Sequence, residues 1–465
     1  MAGRTEPLLI DGALCPSADG RTFPNVNPAT EEVIGVTADA TDADLDRAIA
    51  AARRAFDETA WATDRALRGR CLRQLHEGLL KHAEELRSVI VAEAGAPVTL
   101  TRGPQLDVPV EGVAWVADLA RDYPWETDLG VAAPMGITTH RFLRREPAGV
   151  VGAITPWNFP MQINLAKIAP ALAAGNTVVL KPAPDTPWTA TILGRIVAEE
   201  TGIPAGVFNV VASSRHEAGQ RLAEDPRVDM ISFTGSTATG RAVMRAGAAS
   251  IKKVFLELGG KSALLVLDDA DLGAALGHAA FHITTHAGQG CAVLRDWPVG
   301  DPADPSTLTG PLISERQRRR VLSYIERGRA EGGTIALGGG VPAGQTRGFF
   351  VEPTVITGVG SGSVVAQEEI FGPVLVVLAH DGDDDAVRIA NDSAYGLSGM
   401  VFSAAEDRAR GVAERVRTGT ISVNGGLYYS PDVPFGGYRQ SGTGRESGVA
   451  GFEEYLEIKA IAHAV

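Results

Sequence analysis

Cysteine is scarce in this chain: Cys15, Cys71 and Cys291 are the only three, and none shares a C-x-x-C spacing. That count argues against a disulfide framework or a zinc site and leaves at least one thiol unpaired within the chain. Long apolar runs are missing too. Pro, Asn or Lys interrupts each apolar region well before the roughly 20 residues a membrane span requires. The N-terminal Met1-Ala2-Gly3-Arg4-Thr5-Glu6 leads only to Leu8-Leu9-Ile10 before Asp11, so no secretory signal is read there. Basic residues are outnumbered, with 43 Lys and Arg against 56 Asp and Glu and a net charge of −13. This balance opposes binding to nucleic acid or to an anionic membrane surface. A cytoplasmic protein acting on a small molecule is expected.

Length and glycine are plentiful. At 465 residues the chain exceeds the size at which one hydrophobic core stops growing, so two or more domains are expected. Fifty-four glycines suit a protein with many tight loops.

The first 120 residues contain an amphipathic stretch, Asp42 to Phe56, with Leu45, Ile49, Ala52 and Phe56 at helical spacing and Thr41 as N-cap. A second helical stretch is expected from Ala66 to Ala94. From Gly149 short β-branched runs alternate with Ala-rich runs: 150–154, 165–174, 177–180, 189–200, 207–211, 230–233, a helix from Thr237, and 263–267. Strands alternating with helices predict βαβ units and a parallel sheet covered on both faces. A second α/β series runs from about Ala274 to Val423, including a helix Glu315 to Ala330 and a strand Val374 to Leu378. The acidic group Asp381, Asp383, Asp384 and Asp385 reads as a helix N-terminal cap that complements the helix dipole. There is no internal repeat.

Four loop segments follow strands or helices of this series, where α/β sheets bind ligands. Thr155-Pro156-Trp157-Asn158-Phe159-Pro160 holds an Asn amide between prolines, which suits a fixed oxyanion donor or simply a turn. Phe233-Thr234-Gly235-Ser236-Thr237-Ala238-Thr239-Gly240 enters a helix N-terminus through Gly, as a pyrophosphate site or a plain tight turn would. In Glu257-Leu258-Gly259-Gly260-Lys261 a carboxylate follows the apolar Val254-Phe255-Leu256. Burial would raise its pKa and suit it to base work, and capping is the alternative. Ala287-Gly288-Gln289-Gly290-Cys291 sets a thiol between glycines at the end of an apolar helix, where a cationic neighbour would favour the thiolate.

Together these segments resemble the aldehyde dehydrogenase family. Lys181-Pro182, Glu368-Glu369-Ile370-Phe371-Gly372-Pro373, Pro434-Phe435-Gly436-Gly437 and Ser441-Gly442 extend the likeness, which runs from about Asn25 to the C-terminus with Glu257 and Cys291 separated by 34 positions. The resemblance implies an α/β, aldehyde dehydrogenase-like fold. A Rossmann-like cofactor domain would take residues 1–121 and 145–256, and an α/β catalytic domain 257–425. Residues 122–144 and 426–465 would form a small bridging β element and the return to the cofactor domain, pairing subunits into a homodimer or homotetramer.

The same resemblance implies oxidation of an aldehyde to a carboxylic acid. Cys291 would attack the aldehyde carbon, and the Asn158 amide with the Cys291 N–H would bind the oxyanion. Glu257 would activate the water that hydrolyses the thioester, with Lys167 in proton relay. For the cofactor, Lys181 would reach the adenosine ribose, and Trp157 with Gly235 and Ser236 would line the adenosine and pyrophosphate path. Glu369 and Phe371 would hold the nicotinamide ribose. NAD is expected, with NADP open because Pro184 stands where relatives that select NAD carry a carboxylate; Asp185 is adjacent. No metal is implied: His278, His282 and His286 fall at helical i, i+4 and i+8 positions, but no carboxylate accompanies them at ligand spacing. For the substrate, the loop Leu427-Tyr428-Tyr429-Ser430-Pro431 with Met161 and Trp115 reads equally as the lining of an apolar tunnel or as surface aromatics, and unspecific apolar aldehydes are expected.

One departure stands out. From Cys291 the chain runs through Ala292-Val293-Leu294-Arg295-Asp296-Trp297-Pro298-Val299 straight into Gly300-Asp301-Pro302. A crossover unit takes about a dozen residues or more, so a strand and helix of the family pattern are missing and their neighbours would lose a partner. The second functional reading is therefore a catalytically impaired member of the same fold that binds dinucleotide or partner chains.

Overall fold

The computed structural model describes residues 3–289 and 299–465, with the side chains of Phe281 and His282 also outside the described set. Cys291 lies outside the described residues.

In chain order the strands that position the site are β1 (Leu8–Ile10), β2 (Ala13–Cys15), β3 (Val150–Ile154), β4 (Thr177–Lys181), β5 (Phe208–Val210), β6 (Met230–Thr234), β7 (Lys253–Glu257), β8 (Ala263–Val266), β9 (Thr334–Leu337), β10 (Thr354–Thr357), β11 (Val374–Val376), β12 (Gly399–Phe402), β13 (Ser422–Val423) and β14 (Gly442–Thr443). Eight of them form one sheet in the order β14-β7-β6-β3-β4-β5-β1-β2. The five central strands, β7-β6-β3-β4-β5, are mutually parallel. Their residues are almost all buried, as the near-continuous Val, Ile and Leu runs of a sheet covered on both faces require. Antiparallel β1, β2 and β14 finish the two edges.

Helices cover the faces. The helix Asp42–Glu58 starts as its sequence suggests: Thr41 caps the Asp44 N–H, and the Asp44 carboxylate accepts the Thr41 N–H at 2.8 Å. It buries Leu45, Ala48, Ile49 and Ala52. The region 66–94 is not one helix but two, Arg65–Lys81 and Ala83–Ala94, broken at His82. Helix Pro187–Glu200 has no cap from its own Thr186. Instead the buried Glu93 accepts the N–H groups of Trp188 at 2.9 Å and Thr189 at 2.8 Å, besides the Asn25 amide. A distant carboxylate thus satisfies donors that the helix start leaves free.

After β7 the chain builds two three-stranded sheets, β8-β12-β13 and β9-β10-β11. Among the described residues β8 pairs only with β12, and β11 only with β10. The helix α3 (Leu272–Thr284) packs against both. The helix Glu315–Ala330 starts at a Ser314 cap and buries Val321, Tyr324 and Ile325. The acidic group opens the helix Gly382–Asn391, with Asp381 at the N-cap position and Asp383, Asp384 and Asp385 in the first turn.

A third unit is an antiparallel sheet of Glu126–Ala132, Thr139–Pro147 and Leu456–Ala464, with the long Thr139–Pro147 strand in the middle. It exposes Leu129, Val131, Ile137 and Ile458. Among the described residues no helix is long and apolar enough to cross a membrane.

Candidate active site

The strand order reverses at β3: β4 and β5 lie on one side of it, β6 and β7 on the other. In open α/β sheets the crevice at the carboxyl ends of strands beside such a reversal is the binding position. Register brings those ends level, with Ile154 opposite Lys181 and Phe233, and Thr234 opposite Glu257. The loop holding Asn158, the lysine of Lys181-Pro182, the Gly235-Ser236 turn and Glu257 therefore share one edge of the sheet.

Two carboxylates and a lysine meet there. Lys167 lies on α1 (Pro160–Ala174) and is fully buried. Its Nζ donates to Glu446 Oε1 at 2.8 Å and to Ser232 Oγ at 3.3 Å. Thr234 Oγ1 also donates to Glu446, at 3.4 Å. Glu257, at the end of β7, is buried, and its Oε1 has no hydrogen-bond partner among the described residues. Burial first, then the Glu446 charge, with a smaller push from Glu369, holds the Glu257 carboxyl well above the ordinary carboxylate range; Lys167 pulls the other way. A buried carboxyl whose proton affinity is raised, with an oxygen that has no partner among the described residues, is equipped as a general base. The sequence reading missed Glu446. Its signal was a lone carboxylate in Gly444-Arg445-Glu446-Ser447, just beyond the Ser441-Gly442 already noted.

The approach to Cys291 is tightly held. Asn158 donates its side-chain amide to the Gln289 carbonyl at 2.8 Å, and its own carbonyl accepts from Gln105 Nε2 at 2.9 Å. Gln289 is itself buried and donates to the His286 carbonyl at 2.9 Å, while its Oε1 accepts the Ile313 N–H at 3.0 Å. It joins the stretch before Cys291 to the stretch after the shortened segment. Thr309 adds a bond to the Thr284 carbonyl at 3.0 Å. Gly288 has φ +67°, and a Cβ there would sit 2.2 Å from the Gly372 carbonyl oxygen, so only glycine fits. The backbones at Gly288 and Gly372 are thereby pressed together.

Around the crevice, Lys181 is buried, and its Nζ donates to the Pro182 carbonyl at 3.1 Å. Burial lowers its pKa to about 8, against the attraction of Asp185 and Asp39. Thr155 Oγ1, next after β3, is buried with no partner among the described residues. Ser236 caps α2 (Thr237–Ala248) by accepting the Thr239 N–H at 3.2 Å. Glu369 Oε1 accepts the Gly260 N–H at 3.0 Å, and its carboxyl lies so close over Gly259 that a Cβ would stand 2.4 Å from it. Trp157 meets the Phe371 ring edge to face at 5.3 Å. This pairs Trp157 with the Glu369-Phe371 corner.

The three histidines do not share a helix face. α3 ends at Thr284, and His286 and Ala287 turn left-handed with φ of 48° and 52°. His278 rests on Phe402 and against Gly425, whereas His286 is buried edge-on to Phe159. Burial drives the His286 pKa to about 4, keeping it neutral. The side chain of His282 lies outside the described set. A cavity open to solvent is lined by Trp115, Tyr428, Tyr429 and Glu446 among others. Met161 is wholly buried and Leu427 is exposed, so neither expected tunnel residue lines it.

Known proteins share this arrangement. The chain matches the aldehyde dehydrogenase family model over residues 15–297 and 292–461, two pieces that meet just after Cys291 where the sequence runs short. It is 41% identical to a 3-succinoylsemialdehyde-pyridine dehydrogenase of a Pseudomonas species, over 98% of each chain. That alignment spans 483 positions, more than this chain has, so part of the relative lies opposite no residue here. An aldehyde dehydrogenase 1 of Tanacetum cinerariifolium is 37% identical over 98% of this chain and 94% of its own. The crystal structure of betaine aldehyde dehydrogenase from Staphylococcus aureus with NAD+ superposes at a TM-score of 0.94, with 35% identity over 99% of this chain and 95% of that one. With both halves of the family pattern matched around the shortened segment, the chain belongs to the aldehyde dehydrogenase family.

Proposed function

We propose that the chain oxidises an aldehyde to a carboxylic acid, with NAD as hydride acceptor, through a thioester on Cys291 that Glu257 hydrolyses. The observation that carries the reading is the buried Glu257, with its idle Oε1, set beside the Lys167–Glu446 pair at the carboxyl edge of the sheet.

The residues fit a dinucleotide. The partnerless Thr155 hydroxyl, the Lys181 ammonium and the helix start at Ser236 lie along the crevice, and Glu369 with Phe371 closes it near Glu257. Asp39 and Asp185 lie close enough to Lys181 to act on its charge, a negative surrounding that disfavours a 2′-phosphate and so selects NAD over NADP. When bound, NAD supplies the hydride acceptor. The protein does the rest. The Cys291 thiolate adds to the aldehyde carbon, and the Asn158 amide stabilises the oxyanion; its side chain is oriented by the Gln289 carbonyl and its backbone carbonyl is held by Gln105. Once the hydride has left, Glu257 takes a proton from water as it attacks the thioester, and Lys167 with Glu446 carries that proton onward. Acid and the free thiolate are released.

A second reading, an impaired member of the fold, draws on the edges of β8 and β11 that have no strand partner among the described residues. The exposed apolar residues of the bridging sheet support pairing with a second copy, as a homodimer or homotetramer.

The test is absorbance at the reduced-nicotinamide band with NAD and an aldehyde panel. Turnover that is lost in Cys291→Ala supports the enzyme. Silence in a cooperatively melting sample supports the impaired reading.

A further inference from the structure

The open cavity beside Glu446 is lined by small residues, Gly112 from the helix Asp107–Asp122 and Ala166 and Ala169 from α1, and by the aromatic rings of Trp115, Tyr428, Tyr429, Phe435 and Phe452. Among the described residues lining it, Glu446 alone carries a charge, and that charge is bonded to Lys167 at 2.8 Å and to Thr234 at 3.4 Å. Ala166 directly precedes Lys167 on α1, so the small residues lead straight to the lysine of the catalytic cluster.

Resting on the function proposed above, we infer that this cavity is the substrate tunnel and that it selects neutral aldehydes bearing an aromatic ring, with Ala166 making the space for the ring. A planar ring offers an apolar face to the small residues and its edge or other face to the aromatic rings, a geometry in which aromatic contacts are favourable. A cationic or anionic tail would leave water for a lining whose one carboxylate is already paired and which has no lysine or arginine; burying a charge without a partner is costly. Linear chains fit but forgo the ring contacts. The missing bulk at Ala166 and Gly112 is what a larger wall residue would fill.

The experiment compares kcat/KM for 3-phenylpropanal, betaine aldehyde, succinic semialdehyde and propanal in the wild-type protein and in Ala166→Trp. The wild type is expected to prefer 3-phenylpropanal over both charged aldehydes by at least about a hundredfold. In Ala166→Trp the ratio of 3-phenylpropanal to propanal is expected to fall by at least about tenfold. A charged aldehyde turned over as well as the aryl one, or an unchanged ratio in Ala166→Trp, overturns the inference while leaving the function standing. If propanal and all the others are inert in the wild type, the proposed function fails instead. The tunnel is then read by calorimetric binding of 3-phenylpropanamide: binding that is lost in Ala166→Trp upholds the aryl site, and no binding overturns it.

Discussion

Lys167 Nζ and Glu446 Oε1 lie 2.8 Å apart inside the protein although 279 residues separate them in sequence. The pair sits beside Glu257, and its two charges act on that carboxyl in opposite directions.

This opposition sets a pH signature. Glu257 must be ionised to take a proton from water, so the hydrolytic rate rises with pH through its raised pKa. Replacing Glu446 by Gln removes a repelling charge, and the rising limb of kcat against pH is expected to move to lower pH. Lys167→Met removes the stabilising cation, and the limb is expected to move to higher pH. Identical profiles in all three proteins would disprove the coupling.

Asn158 is held at both ends, by Gln105 and through Gln289. Asn158→Ala is expected to lower kcat by about 10²–10³, the cost of one oxyanion donor. Gln105→Leu leaves the amide in place but loosens it, so a smaller fall is expected. Steady-state kinetics with saturating NAD reads both.

Cofactor choice follows from the charges near Lys181. The wild type is expected to use NAD with a lower KM than NADP, and Asp39→Asn is expected to narrow the gap by lowering the KM for NADP. A wild type that prefers NADP would show that these carboxylates do not face the ribose.

Stability away from the site is tested at Glu93, which caps the helix Pro187–Glu200 from a distance. Glu93→Ala strands two buried N–H groups and is expected to cost about 3 kcal/mol in urea unfolding. A loss within experimental error would mean that the helix start finds other partners.

Much of this was legible in the sequence because local chemistry marks it. The Pro-bounded Asn158 loop, Gly235-Ser236 and Glu257 each sit at a strand end, and sheet topology brings strand ends together without further information. The helix Glu315–Ala330 was equally plain, and the structure adds the Ser314 cap at its start. Glu446 was not legible, since its role depends on a contact across 279 residues and its own loop has no distinctive pattern. Apolar periodicity also overran two helix ends. It carried 66–94 through His82 and α3 through His286, because neither place has a proline, and the left-handed turn at His286 and Ala287 is imposed by packing rather than by residue type. The shortened segment was visible as a missing length.

The most direct test of the account is a rapid-mixing experiment on Glu257→Gln with NAD and 3-phenylpropanal, followed by mass analysis of the quenched protein. The account predicts a burst of about one equivalent of reduced nicotinamide, then a stall, with a 3-phenylpropanoyl adduct on Cys291. Continued turnover at the wild-type rate, or a burst with no adduct on Cys291, would contradict it.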